Sequence, residues 1–577
     1  MGYYLGLFGY GPNPSAALVR DGAIVAFAEE ERFNRIKTAP NSLPVASLLY
    51  CLKEGRVGIG DVDAIGFGWE CDRYAETMPR FYEEFRAQYP QDGNEYNVLQ
   101  EDYLLNLYHP ARIRTDLQQA LAARGGRLDP GRVQFLPHHL CHAASAFYCS
   151  GFPEAGILTL DGSGEEYSTF MWHGAGDAIK EVRSVKLPHS LGGYYATFTE
   201  FLGFKAYQDE GKLMGLAPYG EYSEEIQRRL DEILPYDPAS GEFKTNPYMR
   251  YLGPRTHGRR FTDRFVGVFG APRCAHEPIE KAHRDLAFNV QWRLEQVGAA
   301  LVRRLVAATG VRSLCLAGGV AMNCCMNGKL SRLPEVAEIF VQPASADNGI
   351  ALGAAFVLAQ RGGVSGFERM RHAHWGPAFP DADVEAALRE SKLEYRRSAS
   401  TIEEVARLLL EGRIVGWFQG RMEVGARALG SRSILASPLF RDMKDKLNRE
   451  VKHREDWRPF CPSLPIEDYR TYFEHGADSD FMILAYSVRA QLRDAIPGVV
   501  HVDGTARPQT VRADANPRFH ALLKAFGRLS GHPVLINTSF NVQGEPIVCT
   551  PADALRCFGG TGLDVLVLND FIVVKPS

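Results

Sequence analysis

The sequence has no run of about 18 apolar residues, so no membrane span is expected. It opens MGYYLGLFGYG, without a basic stretch leading into an apolar core and a small-residue cleavage site, and this reads as a first strand rather than a signal peptide. None of the 11 cysteines forms a C-x-x-C pair, and the adjacent Cys324 and Cys325 cannot readily bridge each other. A reduced, cytoplasmic protein is the expectation. Excess charge is lacking as well. The 65 Lys and Arg against 69 Asp and Glu leave a net −4, and no basic stripe marks the chain for nucleic acid. A local basic pocket is still compatible with that balance. What is present is 577 residues, 45% hydrophobic and 23% charged, ordinary values for a soluble enzyme. At about 150 residues per domain, that is too long for one core, so at least two domains are expected.

The clearest pattern is a repeat of shape. Residues 3–31 run strand (YYLGLFGY), small turn (GPNPS), strand (AALVR), Asp21-Gly22 turn and strand (AIVAFAEEE). Residues 155–185 repeat it, as AGILTL, DGSGEE, STFMWH, a glycine turn and IKEVRSV. Asp-Gly between alternating runs is a hairpin signal. Two such meanders, each followed by helical stretches, fit a duplicated α/β domain of the actin and sugar-kinase kind. They fit two unrelated sheets equally well on shape alone. A long amphipathic stretch, 279–309, is followed by two strand–turn–helix crossings, SLCLAGGV and EIFVQPASADNGIALGAAFVLA. Clustered glycines in 361–376 break the periodicity and suggest a linker, so domains over 1–360 and 377–577 are expected.

Several residues carry chemistry. His138 and His142 stand four apart in PHHLCHAASAF, and on a helix both imidazoles share a face that one metal could occupy. His139 points elsewhere. The plain alternative is a histidine cluster at a helix start, which for the pair alone is the better account. Asp161 ends the strand GILTL before the turn DGSGEE, placing a carboxylate beside glycines where a metal or phosphate could sit. A simple Asp-Gly turn is its plain reading. Gly318, Gly319 and Asn323 in LAGGVAMNCCMNG let backbone approach a ligand in front of a helix N-terminus. Asp347 in ASADNGIALGAA could complete a His–His–Asp shell suited to iron, manganese or zinc, or could simply cap a helix. The C-terminal part carries Arg427 and Arg432 in EVGARALGSRSILA, and Lys452, Arg454 and Arg458 in NREVKHREDWRPFCPS. Arg507 lies in HVDGTARPQTV and Asn537 in LINTSFNVQGEPIV. Guanidinium groups in turns rich in Gly, Ser and Thr suggest one pocket for a small anion. Salt bridges to Glu423, Glu455 and Asp456 are the alternative for any single arginine.

Taken in order, NPSAALVRDG, EEERFNRIK, HHLCHAASAF, LDGSGE, DEGKLMGLAPYG, LAGGVAMNCCMNG, DNGIALGAA, GARALGSRSILA, WRPFCPS, DGTARPQTV and NTSFNVQGEPIV resemble the O-carbamoyltransferases of antibiotic and nodulation-factor biosynthesis over essentially the whole chain. The resemblance implies an actin-like ATPase domain followed by a YrdC-like domain. It implies an enzyme that uses ATP and carbamoyl phosphate, forms carbamoyl adenylate, and carbamoylates a hydroxyl of a small molecule. Lys37, His138 and His142 are implied as catalytic, and His138, His142, Asp161 and Asp347 as ligands of a divalent metal, usually Fe(II), with Mg for the nucleotide. Lys212, Gly318, Gly319 and Asn323, together with Asp161 and Asp347, are implied at the nucleotide. Arg427, Lys452, Arg458, Arg507 and Asn537 match the carbamoyl phosphate pocket. No nucleic acid or membrane partner is implied, and relatives suggest a homodimer.

One position departs from the family pattern. Where relatives carry a histidine three residues before the first-turn serine, this chain has Pro12, which leaves the general base open and suggests an unusual acceptor or a substitute such as His138 or His139. Rival readings are a tRNA threonylcarbamoyl-type enzyme, a non-catalytic actin-like ATP-binding regulator, and a sugar kinase. The sugar kinase leaves the last 200 or so residues unexplained.

Overall fold

The computed structural model describes residues 2–89, 94–246, 259–476 and 478–575. The chain divides into two compact units, residues 1–25 with 40–369 and residues 26–39 with 370–577. Among the described residues no helix is long and apolar enough to cross a membrane, and all 11 cysteines are free thiols.

Strands β1 (Tyr3–Phe8), β2 (Ser15–Arg20), β3 (Ala23–Glu29), β4 (Ala64–Phe67) and β5 (Val133–Phe135) form a sheet in the order β3-β2-β1-β4-β5, which belongs to the first unit except for residues 26–29 of β3. Strands β6 (Glu154–Gly164), β7 (Tyr167–Ala175), β8 (Ala178–Lys186), β9 (Ser313–Ala317) and β10 (Glu338–Val341) form another, in the order β8-β7-β6-β9-β10. The orders are the same. In each, an antiparallel meander is extended by two parallel strands beside its first strand. The two meanders are therefore halves of a duplicated α/β fold, and the reading as unrelated sheets is set aside. Asp21 and Gly22 both have positive φ, 50° and 87°, as a type I′ hairpin turn requires.

Two buried helices, His138–Ser150 and Ile350–Arg361, pack against each other. Helix Ile350–Arg361 also covers β1 and β2, and helix His138–Ser150 covers β6 and β9. Their sequences, HHLCHAASAFYCS and IALGAAFVLAQR, are rich in Ala and Gly because the backbones come close. A Cβ on Gly353 would overlap the Cys141 carbonyl oxygen. The crossing fixes the helix that carries both candidate histidines.

The second unit is built on an eight-stranded mixed sheet of β11 (Arg396–Arg397), β12 (Val415–Phe418), β13 (Arg432–Ala436), β14 (Cys461–Pro465), β17 (Gln509–Val511), β18 (Leu535–Ser539), β19 (Val565–Leu568) and β20 (Phe571–Val574). Its order is β11-β20-β19-β12-β13-β18-β14-β17, and β15 (Tyr486–Ser487) pairs apart from it with β16 (Thr505–Ala506). Helices Thr401–Leu410 and Pro517–Ser530 bury Val405, Leu409, Phe519, Leu522 and Phe526 in one core with Trp417, Leu435 and Val565 of the sheet.

Segment 26–39 belongs to this second unit, although it lies early in the chain. Arg32, 1% exposed, pairs with Glu29 at 3.3 Å and donates to the Gly425 carbonyl at 2.7 Å. Glu29 Oε1 in turn accepts the Gly425 N–H at 2.8 Å. Arg35 donates to the Ile547 and Pro546 carbonyls and pairs with Asp553 at 3.4 Å. Removing either member of the Glu29–Arg32 pair would strand a buried charge.

Candidate active site

The helix His138–Ser150 turns His138 and His142 onto one face, as i,i+4 spacing requires. Their Nε2 atoms lie 3.2 and 3.0 Å from the same oxygen of Asp161, and 3.9 and 3.8 Å from Asp347. The four donor atoms fall within 4.8 Å of one another, and all four residues are buried. Asp161 sits in β6, and Asp347 opens the single turn leading into helix Ile350–Arg361. A strand, a helix start and the turn before a second helix thus meet at one point; Asp161 lies within β6, which runs on through Gly164, and not at the strand end expected from DGSGEE.

The electrostatics favour a charged carboxylate there. Burial opposes ionisation of Asp161, but hydrogen bonds from His138 and His142 outweigh it and hold its pKa well below the usual carboxylate range. An ionised Asp161, a second carboxylate and two imidazole nitrogens form an N2O2 donor set that fits a divalent ion such as iron, manganese or zinc. His139 turns away, as its helical angle predicts, to meet Thr159 Oγ1 at 3.1 Å, and burial pushes its pKa well down.

The glycine-rich turn reaches the same place. Gly318 has φ 91°, and a Cβ on it would overlap the Leu160 carbonyl. A Cβ on Gly319 would lie 3.1 Å from Asp161 Oδ1. Asn323 is engaged otherwise. Its Oδ1 caps helix Cys324–Leu330 through Met326 N–H at 2.9 Å, and its amide pairs with Gln291. Lys212 pairs with Asp209 at 3.2 Å and lies over the Phe204 ring. The first turn, with Pro12, is tied to the cluster through Ser15 Oγ, which donates to the Asn348 carbonyl at 2.8 Å. His138 is one of the four donors of the cluster, and His139 faces Thr159.

Two residues of this site had escaped the sequence reading. Glu165 accepts the backbone N–H of His138 at 3.2 Å and of Glu70 at 2.9 Å, and burial raises its pKa to about 8. It lies in the quoted motif DGSGEE but reads there as a turn residue. Trp69 packs edge-on to His138, with ring centroids 5.1 Å apart, and stacks on Tyr108. No local spacing signals it.

In the second unit several of the residues expected in the anion pocket lie around strands β14 and β18. Asn537 in β18 lies directly opposite Cys461 in β14. Its Nδ2 donates to the Ala428 carbonyl, beside Arg427, and to Ser463 and Gln509. Arg507 donates to Cys461 Sγ from Nε at 3.1 Å and Nη2 at 2.8 Å. Lys452, 4% exposed, donates to Ser539 and Asn541 just beyond Asn537. Burial, then the charges of Arg454, Arg458 and Lys37, push the Lys452 pKa well below the usual lysine range. Burial and Arg458 likewise bring Arg454 down to about 9, with Arg507 contributing. Cations that depress one another are what an anion would relieve. The salt-bridge alternative holds in part, since Arg458 lies 3.8 Å from Glu455. Arg432 is a structural residue, fully buried and spent on the Gln419, Gly420 and Pro377 carbonyls. Glu423 binds the backbone N–H groups of Leu429, Ser431 and Arg432. One placement differs from expectation. Lys37, grouped by resemblance with the histidines, belongs to the second unit, and its charge bears on Lys452.

The sequence matches two family models, "Carbamoyltransferase N-terminus" over residues 4–356 and "Carbamoyltransferase C-terminus" over residues 406–575. The chain therefore belongs to the carbamoyltransferase family and is an enzyme of that class. Among its relatives, nodulation protein NolNO of Sinorhizobium fredii is 38% identical over 98% of this chain and 79% of its own length. The 3'-hydroxymethylcephem-O-carbamoyltransferase of Amycolatopsis lactamdurans is 30% identical over 65% of this chain and 66% of its own. Among solved structures, T. kodakarensis HypF overlaps 64% of this chain and 48% of its own at 13% identity, with a TM-score of 0.30. That overlap is too slight to bear on the site.

Proposed function

We propose that this enzyme is an ATP-dependent O-carbamoyltransferase that draws its carbamoyl group from carbamoyl phosphate. The observation that carries the reading is the pairing of two sites of different chemistry in one chain: the buried N2O2 cluster in the first unit and the clustered cations in the second. Carbamoyl phosphate would bind in the second unit. There Arg427, Lys452, Arg458 and Arg507 supply charge for its phosphate, and Asn537 Oδ1, buried and without a hydrogen-bond partner among the described residues, could accept from its amino group. Water cleaves the donor to carbamate and phosphate. Carbamate oxygen then attacks the α-phosphorus of ATP, giving carbamoyl adenylate and pyrophosphate. The acceptor hydroxyl attacks the carbamoyl carbon, its proton is lost, and AMP leaves.

In the first unit, Gly318 and Gly319 would let the nucleotide phosphates approach β6 and β9. His138, His142, Asp161 and Asp347 would hold a divalent ion, which would supply positive charge for the phosphates. Glu165, through the His138 N–H, fixes the start of the helix that aims both imidazoles. Lys37 would act with the second-unit cations. Incubating the enzyme with ATP, carbamoyl phosphate and hydroxyl-bearing natural products tests the reading by mass spectrometry. An acceptor heavier by one carbamoyl group, only when both ATP and carbamoyl phosphate are present, supports it. Carbamoylation without ATP would sink it.

A further inference from the structure

We infer that Cys461 is a positioning residue of the donor pocket: its thiol holds the Arg507 guanidinium in the orientation that receives the phosphate of carbamoyl phosphate. The inference rests on the function proposed above. Arg507 reaches Sγ with two different nitrogens, Nε at 3.1 Å and Nη2 at 2.8 Å. Two donors of one rigid planar fork fix its plane as well as its position. Arg507 lies between the short strands β16 and β17 and not within either. The thiol, by contrast, is anchored. Cys461 is 5% exposed and paired in register with Asn537, so its side chain and that of Asn537 share a face of the sheet.

The choice of sulfur has a physical reason. A carboxylate at position 461 would bind the guanidinium more strongly, but it would neutralise the charge meant for phosphate. Sulfur is a weaker acceptor than a carboxylate oxygen. Alanine would remove both sulfur contacts to the guanidinium.

The test is steady-state kinetics of purified full-length variants. Cys461→Ala should raise the KM for carbamoyl phosphate about tenfold and leave the KM for ATP unchanged. Cys461→Ser keeps an acceptor and should stay within about threefold of wild type. Cys461→Val, which fills the space without an acceptor, repeats the measurement if the alanine variant does not fold. In an Arg507→Ala background, Cys461→Ala should add nothing further, because the group it positions is gone. An unchanged KM in the alanine or valine variant, or a serine effect as large as theirs, overturns the inference. So does an undiminished effect in the Arg507→Ala background. If wild type itself does not consume carbamoyl phosphate, it is the underlying function that fails.

Discussion

Replacing Arg507 by alanine separates donor activation from carbamoyl transfer. Its guanidinium sits at Cys461, across the β14–β18 pair from Asn537, and its charge contributes to lowering the pKa of Arg454 to about 9. Removing one charge-assisted contact to a phosphate costs about 1.5–3 kcal/mol, roughly ten- to hundredfold in carbamoyl phosphate use. The loss should stop there, because Lys452, Arg454 and Arg458 still surround the pocket. ATP affinity should stay close to wild type, since the N2O2 cluster lies in the other unit. Carbamoyl adenylate supplied directly should restore product formation to Arg507→Ala. On the proposed function it should not restore it to His142→Ala, which lacks one donor of the N2O2 cluster. The assay is product mass with each variant under both feeding regimes, with circular dichroism to confirm folding. A folded Arg507→Ala enzyme that carbamoyl adenylate fails to rescue would refute the assignment of donor activation to this pocket.

Other consequences follow from the same geometry. His138→Ala and His142→Ala should each lose bound divalent metal on elemental analysis, while His139→Ala, whose ring faces Thr159, should keep it. Gly353→Val would drive a side chain into the Cys141 carbonyl, and urea unfolding should register a loss of about 3 kcal/mol or more. Burial raises the Glu210 pKa from 4.5 to about 7. A raised native pKa contributes stability below the unfolded value that is lost as pH climbs through the native one. The melting temperature of wild type should therefore fall relative to Glu210→Gln between about pH 4.5 and 7.5, and parallel curves would contradict the burial argument.

Much of the first unit was legible because its signals are local. The Asp21-Gly22 turn and the alternation around it announce a hairpin, and the same order recurs around Asp161. Whether the two meanders were related was not legible, because pairing order is a long-range property. The His138–His142 spacing pointed to the cluster, since helical period is read directly from sequence, whereas Asp161 lies inside β6 and not at the strand end the glycines suggested. Asn323, expected at the nucleotide, also caps a helix through Met326 N–H, a role its sequence motif does not announce. Lys37 could not be assigned to its unit, because segment 26–39 is held by Arg32 and Arg35 against residues about 400–500 positions away. Cys461 carried no signal either. Its bond to Arg507 depends on the register of β14 against β17, which no short motif encodes.

The most direct test omits the acceptor. Wild-type enzyme given ATP and carbamoyl phosphate alone should release inorganic phosphate and form carbamoyl adenylate with pyrophosphate, resolved by chromatography and mass spectrometry. Formation of ADP as the nucleotide product, with no adenylate and no pyrophosphate, would contradict the two-site account at its centre.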